Sequence, residues 1–211
     1  MHKSTRRNFL VFVGIMLLGL IPSEIYLLSA GFSDDSLNMV LRQTARSSLL
    51  FFLLAFVATP LRQLVDLPVA RWLVRHRRSL GLAFGGMQSA HLLLIACRYA
   101  AIPGVDLNPI VGTIGGTAYL LMYLMVVTSF NAPRRFISAV AWQRLHKVGL
   151  YYNGFLFLAM LPPGADEQLL NPGRAVLIVL TTIAVLVRVA EFASHWRKSR
   201  TAKQRAVGES L

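Results

Sequence analysis

Cysteine is almost missing from this sequence, with Cys97 alone among 211 residues. One thiol excludes an internal disulfide and every metal or iron–sulfur site built from several cysteines. Set in an apolar run, Cys97 reads as a small packing residue. Acid is scarce as well: nine Asp and Glu stand against 22 Lys and Arg, and charged residues make up 15% of the chain, where a soluble domain carries about 25%. There is no glycine fingerprint in a βαβ setting, which a dinucleotide- or flavin-binding unit of the Rossmann kind needs. No serine–histidine pair stands in a protease motif, and neither an internal repeat nor paired interrupted helices suggest a transporter.

What the sequence has instead is apolar length. Hydrophobic residues make up 55% of the chain and mean hydropathy is +0.55. They gather in six blocks, at about 8–30, 47–64, 79–101, 109–130, 143–161 and 174–193. A run of about 18 or more apolar residues is long enough to cross the bilayer core as a helix. The first block is too long for a signal peptide and lacks a small-residue cleavage site, so it is read as a helix. The fifth is the most polar, holding His146, Lys147 and Asn153. Between blocks, the longest stretches are Arg62 to Arg78 and the tail after His195, neither of them domain-sized. Asp34-Asp35 and Pro103-Gly104 mark turns in short loops. The expected fold is all-α: a single-domain, six-transmembrane-helix bundle spanning 1–211.

The basic residues orient it. All but four of the 22 (Arg42, Arg46, Arg98 and Arg174) fall on the side that holds both termini. Cationic loops stay in the cytoplasm, so both termini are expected there. A net charge of +13 invites a nucleic-acid reading. These cations flank membrane helices, however, where they hold topology and touch anionic lipid headgroups. No nucleic-acid partner is expected.

Ionisable groups at membrane depth are costly and therefore informative. His91 lies near the middle of the third block and His146 early in the fifth. A neutral imidazole there can bond a neighbouring helix, relay protons, or ligate haem iron. Gly81/Gly85 and Gly112/Gly116 match the small-xxx-small pattern of close helix packing, and smooth faces of that kind also admit a flat porphyrin. Arg77, Arg78, Arg134, Arg135 and Arg144 have the bidentate donors that suit a flavin phosphate or a haem propionate. Arg188 and Glu191 are spaced to pair on one helix face.

Certain segments carry a resemblance. The run from Arg46 to Arg62, closing on Thr59-Pro60-Leu61-Arg62, resembles the MsrQ (YedZ) family. So do Arg77-Arg78-Ser79-Leu80-Gly81-Leu82, Ala90-His91-Leu92 and Trp142-Gln143-Arg144-Leu145-His146. The resemblance covers nearly the whole chain. It implies a ferric-reductase-like transmembrane domain in the bacterial inner membrane that binds b-type haem, with FMN or a quinone as a further cofactor. Electrons would pass from a cytoplasmic flavin reductase or quinol to a periplasmic molybdenum-dependent methionine sulfoxide reductase. The chain would then be an electron-transfer subunit and not the catalyst that reduces substrate.

The resemblance offers His91 and His146 as iron ligands, with Arg77 and Arg78 beside the cofactor. The family's second histidine on helix five, thirteen residues after the first, is here Ala159, with Met160 next to it. At about 1.5 Å per residue, His91 lies roughly 18 Å into its helix and His146 about 4 to 5 Å into its own, a depth difference of roughly 14 Å. Ligands of one iron sit only about 4 Å apart, with metal–nitrogen bonds of roughly 2 Å each. Three arrangements then remain open: Met160 opposite His91, a five-coordinate iron, or the fold without haem. The rival from another class is a non-redox membrane protein, an assembly factor or transporter-like, that uses its histidines for packing or proton movement.

Overall fold

Ser33 starts the first long helix. Its hydroxyl accepts from the Ser36 amide at 3.2 Å, and the Ser36 hydroxyl accepts from the Ser33 amide at 2.9 Å. This is a reciprocal cap in which serine replaces the usual glutamate. Asp34 and Asp35 fill the first turn, where carboxylates meet the positive end of the helix dipole. In the computed structural model, which describes residues 14, 16–17, 20–21, 23, 25–104, 108–160 and 172–208, α1 runs Asp34–Leu64. The helix therefore begins well before the apolar run near Ser47. Asp34-Asp35, expected in a loop, is helical because the cap and the dipole favour it.

Residues 65–67 connect α1 to α2, Pro68–Ala101, which opens on a proline whose missing N–H costs nothing at that position. Most of the expected loop from Arg62 to Arg78 is thus helix. With 34 residues, α2 is about 51 Å long and outreaches the roughly 30 Å hydrocarbon core. The helix α3, Pro109–Val127, is capped by Asn108, whose side chain accepts from the amides of Ile110 and Val111. A single turn, α4 (Asn131–Arg134), leads to α5, Ala139–Met160, and α6 covers Pro172–Gly208. An N-terminal segment is helical over 25–30 and at its earlier described positions. Among the described residues all regular structure is helical.

Four described helices are long and apolar enough to cross a membrane: Asp34–Leu64, Pro68–Ala101, Pro109–Val127 and Gly173–Ser194. Ala139–Met160 has the length, but Gln143, Arg144, His146 and Lys147 make it more polar. Many large apolar side chains face outward, Leu93, Phe155, Leu186 and Phe192 among them, the surface that lipid contact requires.

The α1–α2 hairpin is the spine of the bundle, and α6 packs along α1 while α3 packs along α5. Asp34–Arg98, Thr44–His91, Ser48–Gln88 and Thr59–Arg77 step down the hairpin in one antiparallel register. Leu49, Phe52, Leu53 and Phe56 of α1 form the core with Phe84, Met122, Leu177 and Ala184 from three other helices. Phe157 of α5 closes it, 5.3 Å from the Phe52 ring and 6.0 Å from that of Phe84. A Cβ at Gly85 would lie 2.6 Å from Val126 Cγ2, so this glycine lets α2 and α3 approach. Gly81, Gly115 and Gly116 instead face open space, and the close-packing role expected of the glycine pairs applies to Gly85.

Pro60 lies inside α1. Having no N–H, it leaves the Phe56 carbonyl without its helical donor. Arg188 of α6 supplies one at 2.6 Å and lays its guanidinium 4.4 Å from the centre of the Phe56 ring. The arginine expected to pair with Glu191 on its own helix does feel that charge, and it also ties α6 to the proline turn of α1.

Candidate functional site

His91 stands ten residues before the end of α2 and Thr44 ten residues after the start of α1, so the two meet at one level of the antiparallel hairpin. Thr44 is fully buried. Its hydroxyl donates to the carbonyls of Val40 and Leu41 at 2.9 and 3.1 Å, and its oxygen lies 2.9 Å from His91 Nδ1. One turn deeper, Ser48, also fully buried, donates to the Ala45 carbonyl at 2.8 Å and to Gln88 Oε1 at 3.2 Å. The ring of His91 is half-buried. The ring also lies within hydrogen-bonding reach of the Leu41 carbonyl.

His146 sits in different company. Its Nε2 lies 3.3 Å from the hydroxyl of Thr128, the C-cap of α3. Trp142 covers the ring at 4.2 Å between centroids and donates through Nε1 to the Thr128 carbonyl at 3.1 Å. Arg134 in turn lies over Trp142 at 4.6 Å. The result is a corner that joins the end of α3 to the start of α5.

The two histidines are not brought together. Ser89 accepts from the Tyr123 hydroxyl at 3.0 Å, and Gly85 lies against Val126, so α2 and α3 run antiparallel in a defined register. That register puts Thr128 level with the residues just before Gly85. His91 is about eight residues further along α2, roughly 12 Å at about 1.5 Å per residue.

Arg77 and Arg78 belong with the His146 corner and not with His91. Arg77 donates to Thr59 Oγ1 at 2.9 Å, and the Arg78 guanidinium lies 5.7 Å from the centre of the Phe130 ring. The candidate residues therefore divide into a zone around Thr44 and His91 and a zone around Thr128, Trp142, His146 and the arginines. Ala159 is exposed. Met160 ends α5, and its side chain lies outside the described residues.

Thr44, Ser48 and Thr128 were not singled out by sequence. A faint signal exists for the first two: hydroxyls four apart in a run that carries a helix face, opposite Gln88 and His91 three apart on the next.

Comparison with known proteins now decides the family. The chain is 31% identical over 154 residues to a protein-methionine-sulfoxide reductase haem-binding subunit MsrQ from Ralstonia nicotianae, covering 68% of each chain. The chain belongs to the MsrQ family. Another MsrQ, from Polaromonas naphthalenivorans, is 27% identical over 196 residues, 88% of this chain and 85% of the relative. A third, from Azospira oryzae, is 30% identical over 142 residues, 63% of this chain and 59% of the relative. No protein-family model and no solved structure matches the chain. MsrQ membership and the four apolar helices together make this a multi-pass membrane protein.

These relatives are named for haem, and the residues here fit such a group from one side. His91 is held by Thr44 through Nδ1 and lies against the Leu41 carbonyl; a metal-bound histidine is usually held through one ring nitrogen and ligates through the other. The opposite side is not supplied by His146, whose ring is engaged at another depth. Among the described residues no cluster of three metal-binding side chains forms.

Proposed function

We propose that this MsrQ-family chain is a haem-binding electron-transfer subunit, serving a periplasmic, molybdenum-dependent methionine sulfoxide reductase from the bacterial inner membrane. The observation that carries the reading is His91: an imidazole well inside the apolar part of α2, fixed through Nδ1 by Thr44. When bound, the haem supplies a one-electron iron centre, and the protein's part is to hold and tune it. His91 would hold the iron through a ring nitrogen, Thr44 orients the ring, and Val40 and Leu94 of a separate apolar cluster flank that level of the bundle. With Ala159 where the family has histidine, the iron is held by His91 alone or with Met160.

The arginines of the second zone support a donor-side role. Arg77, Arg78 and Arg134 gather near the cytoplasmic ends of α2 and α3, where an anionic group such as the phosphate of FMN, or a quinol headgroup, meets guanidinium donors. Electrons enter there from a cytoplasmic flavin reductase or quinol in this reading. A six-helix arrangement with both termini in the cytoplasm follows from the excess of Lys and Arg on that side. Reporter fusions at Leu211 check it, and an external C-terminus would reverse the electron path.

Difference spectra of the detergent-purified protein, dithionite-reduced minus oxidised, test the function directly. The expected result is a Soret shift with a sharp alpha band, both lost in His91→Ala. Absence of any band after expression with added haem sinks the redox reading. It would favour the non-redox alternative, for which the packing of His146 against Trp142 and Thr128 is the supporting observation.

A further inference from the structure

We propose that Thr44 is the positioning residue of the His91 site: its hydroxyl fixes the ring in the tautomer protonated at Nδ1 and so leaves Nε2 as the ligating nitrogen. A proton count assigns the roles. A threonine hydroxyl has one proton and two lone pairs. In Thr44 that proton is directed at the carbonyls of Val40 and Leu41, at 2.9 and 3.1 Å. Toward His91, 2.9 Å away, the oxygen can then only accept. The ring must donate, so Nδ1 carries the hydrogen and Nε2 carries the lone pair.

Burial makes this arrangement hard to escape. Thr44 is at 0% exposure, so bulk solvent does not compete for the hydroxyl proton. If the proton turned to the ring, it would leave the back-bond to its own helix, and Nδ1 would become the acceptor. The Val40 carbonyl, 2.9 Å away, is the acceptor Thr44 keeps, and the Leu41 carbonyl, which the His91 ring also reaches, is a further acceptor for a ring proton. Ser48, one turn along, adds a second contact of different sense: it donates to the Ala45 carbonyl at 2.8 Å and to Gln88 Oε1 at 3.2 Å across the same helix pair. That second rung holds the register in which Thr44 and His91 face each other.

The same count at the other histidine gives the opposite answer. Thr128 directs its proton at the Leu124 carbonyl, 2.6 Å away, and its oxygen, 3.3 Å from His146 Nε2, is left to accept there. His146 is therefore protonated at Nε2, the nitrogen that faces the protein. The two histidines are thus held in opposite tautomers, each set by a back-bonded threonine.

The proposal rests on the haem reading for its purpose but not for its test. The full-length protein, 15N-labelled at histidine, is studied without haem in detergent micelles at a pH where both rings are neutral. Ring-nitrogen NMR separates a protonated from a bare nitrogen and assigns each to its position, and His91→Gln identifies the His91 signals. The expected result is a His91 protonated at Nδ1 and a His146 protonated at Nε2. Thr44→Val should move the His91 proton toward Nε2, and Thr44→Ser should restore the parental pattern. A parental His91 protonated at Nε2 overturns the proposal without any variant. So does a Thr44→Val protein of unchanged helicity whose His91 keeps the Nδ1 proton.

A second arm measures haem. Haem titration should show Thr44→Val binding about 10- to 100-fold more weakly than the parent, the usual effect of losing a residue that supports a metal-bound histidine, with Thr44→Ser near the parental value. A protein with the expected tautomers that takes up no haem overturns the haem function and leaves the assignment of Thr44 intact. A haem protein indifferent to Thr44→Val in both arms overturns the assignment of Thr44 and leaves the haem function.

Discussion

Two histidines in this bundle each meet a threonine hydroxyl, but by different ring nitrogens and at different levels. His91 reaches Thr44 through Nδ1 at 2.9 Å, deep in the α1–α2 hairpin. His146 reaches Thr128 through Nε2 at 3.3 Å, at the cap of α3 and under the Trp142 ring. Both rings sit in an apolar bundle, and residue type alone gives them equal standing as ligands. The contacts separate them: the His91 ring is tied across the α1–α2 hairpin, whereas the His146 ring lies under Trp142 at the corner of α3 and α5. An imidazole in a membrane helix is thus better judged by which nitrogen is already engaged than by its depth alone.

The widest predicted separation between the two regions is in haem content. His91→Ala should abolish the reduced-minus-oxidised alpha band of the purified protein. His146→Ala should keep more than half of it, because the loss falls on a corner and not on the iron. Equal loss in both variants, at equal yield of folded protein, would erase the distinction.

Next in size is Arg188→Met, which separates structure from haem binding. It leaves the Phe56 carbonyl, opened by Pro60, without a donor in a buried setting. An unsatisfied buried acceptor costs about 1–3 kcal/mol. For a chain of this length each kcal/mol moves the melting temperature by about 2–4 °C, so a drop of several degrees is expected by thermal denaturation in detergent. The alpha band per folded molecule should be unchanged. A melting curve that matches the parent's would mean that the Phe56 carbonyl finds another donor.

Pro60 and Arg188 also show what could and could not be read in advance. The apolar blocks locate the described spans, because apolar length is a local property that sequence carries directly. The helix ends are harder. α1 starts at Asp34 because Ser33 and Ser36 cap each other, an exchange of hydroxyls with no Glu to announce it. The stretch before Arg78 continues as helix because Pro68 opens a helix as readily as it interrupts one. The histidines could be named from residue type and position, and Arg188 could be placed on helix six. Their partners could not: Thr44, Thr128 and the Phe56 carbonyl are each supplied by another helix, and that pairing depends on the register of helices far apart in the chain. Arg188 would suit Glu191 on its own helix surface, but the opened carbonyl lies on a neighbour.

A smaller effect tests the His146 corner. Thr128→Val removes the acceptor for Nε2 but leaves the Thr128 backbone carbonyl that Trp142 Nε1 uses, so one of two ties from α5 survives. Interhelical hydrogen bonds in membranes average about 0.6 kcal/mol, and the expected fall in melting temperature is correspondingly only a degree or two. Haem affinity should not change, in contrast to Thr44→Val. If Thr128→Val weakened haem binding as much as Thr44→Val did, the corner would have to be counted part of the haem site.

The smallest effect is expected at the outer end of the same hairpin that holds Thr44. Arg98 donates to both carboxylate oxygens of Asp34, through Nε at 2.7 Å and a terminal nitrogen at 3.3 Å. The pair lies in the same register as Thr44–His91, yet its side chains keep 25% and 42% of their exposure. Exposed ion pairs add little to stability, and salt screens them. Asp34→Asn should lower the melting temperature slightly in low-salt buffer and leave it unchanged in high salt, whereas the cost of Thr44→Val should be the same in both. That difference in salt response distinguishes a contact open to solvent from one sealed between helices. A Thr44→Val penalty that shrank with added salt would show that ions and water reach His91, and it would undo the proton count on which its tautomer rests.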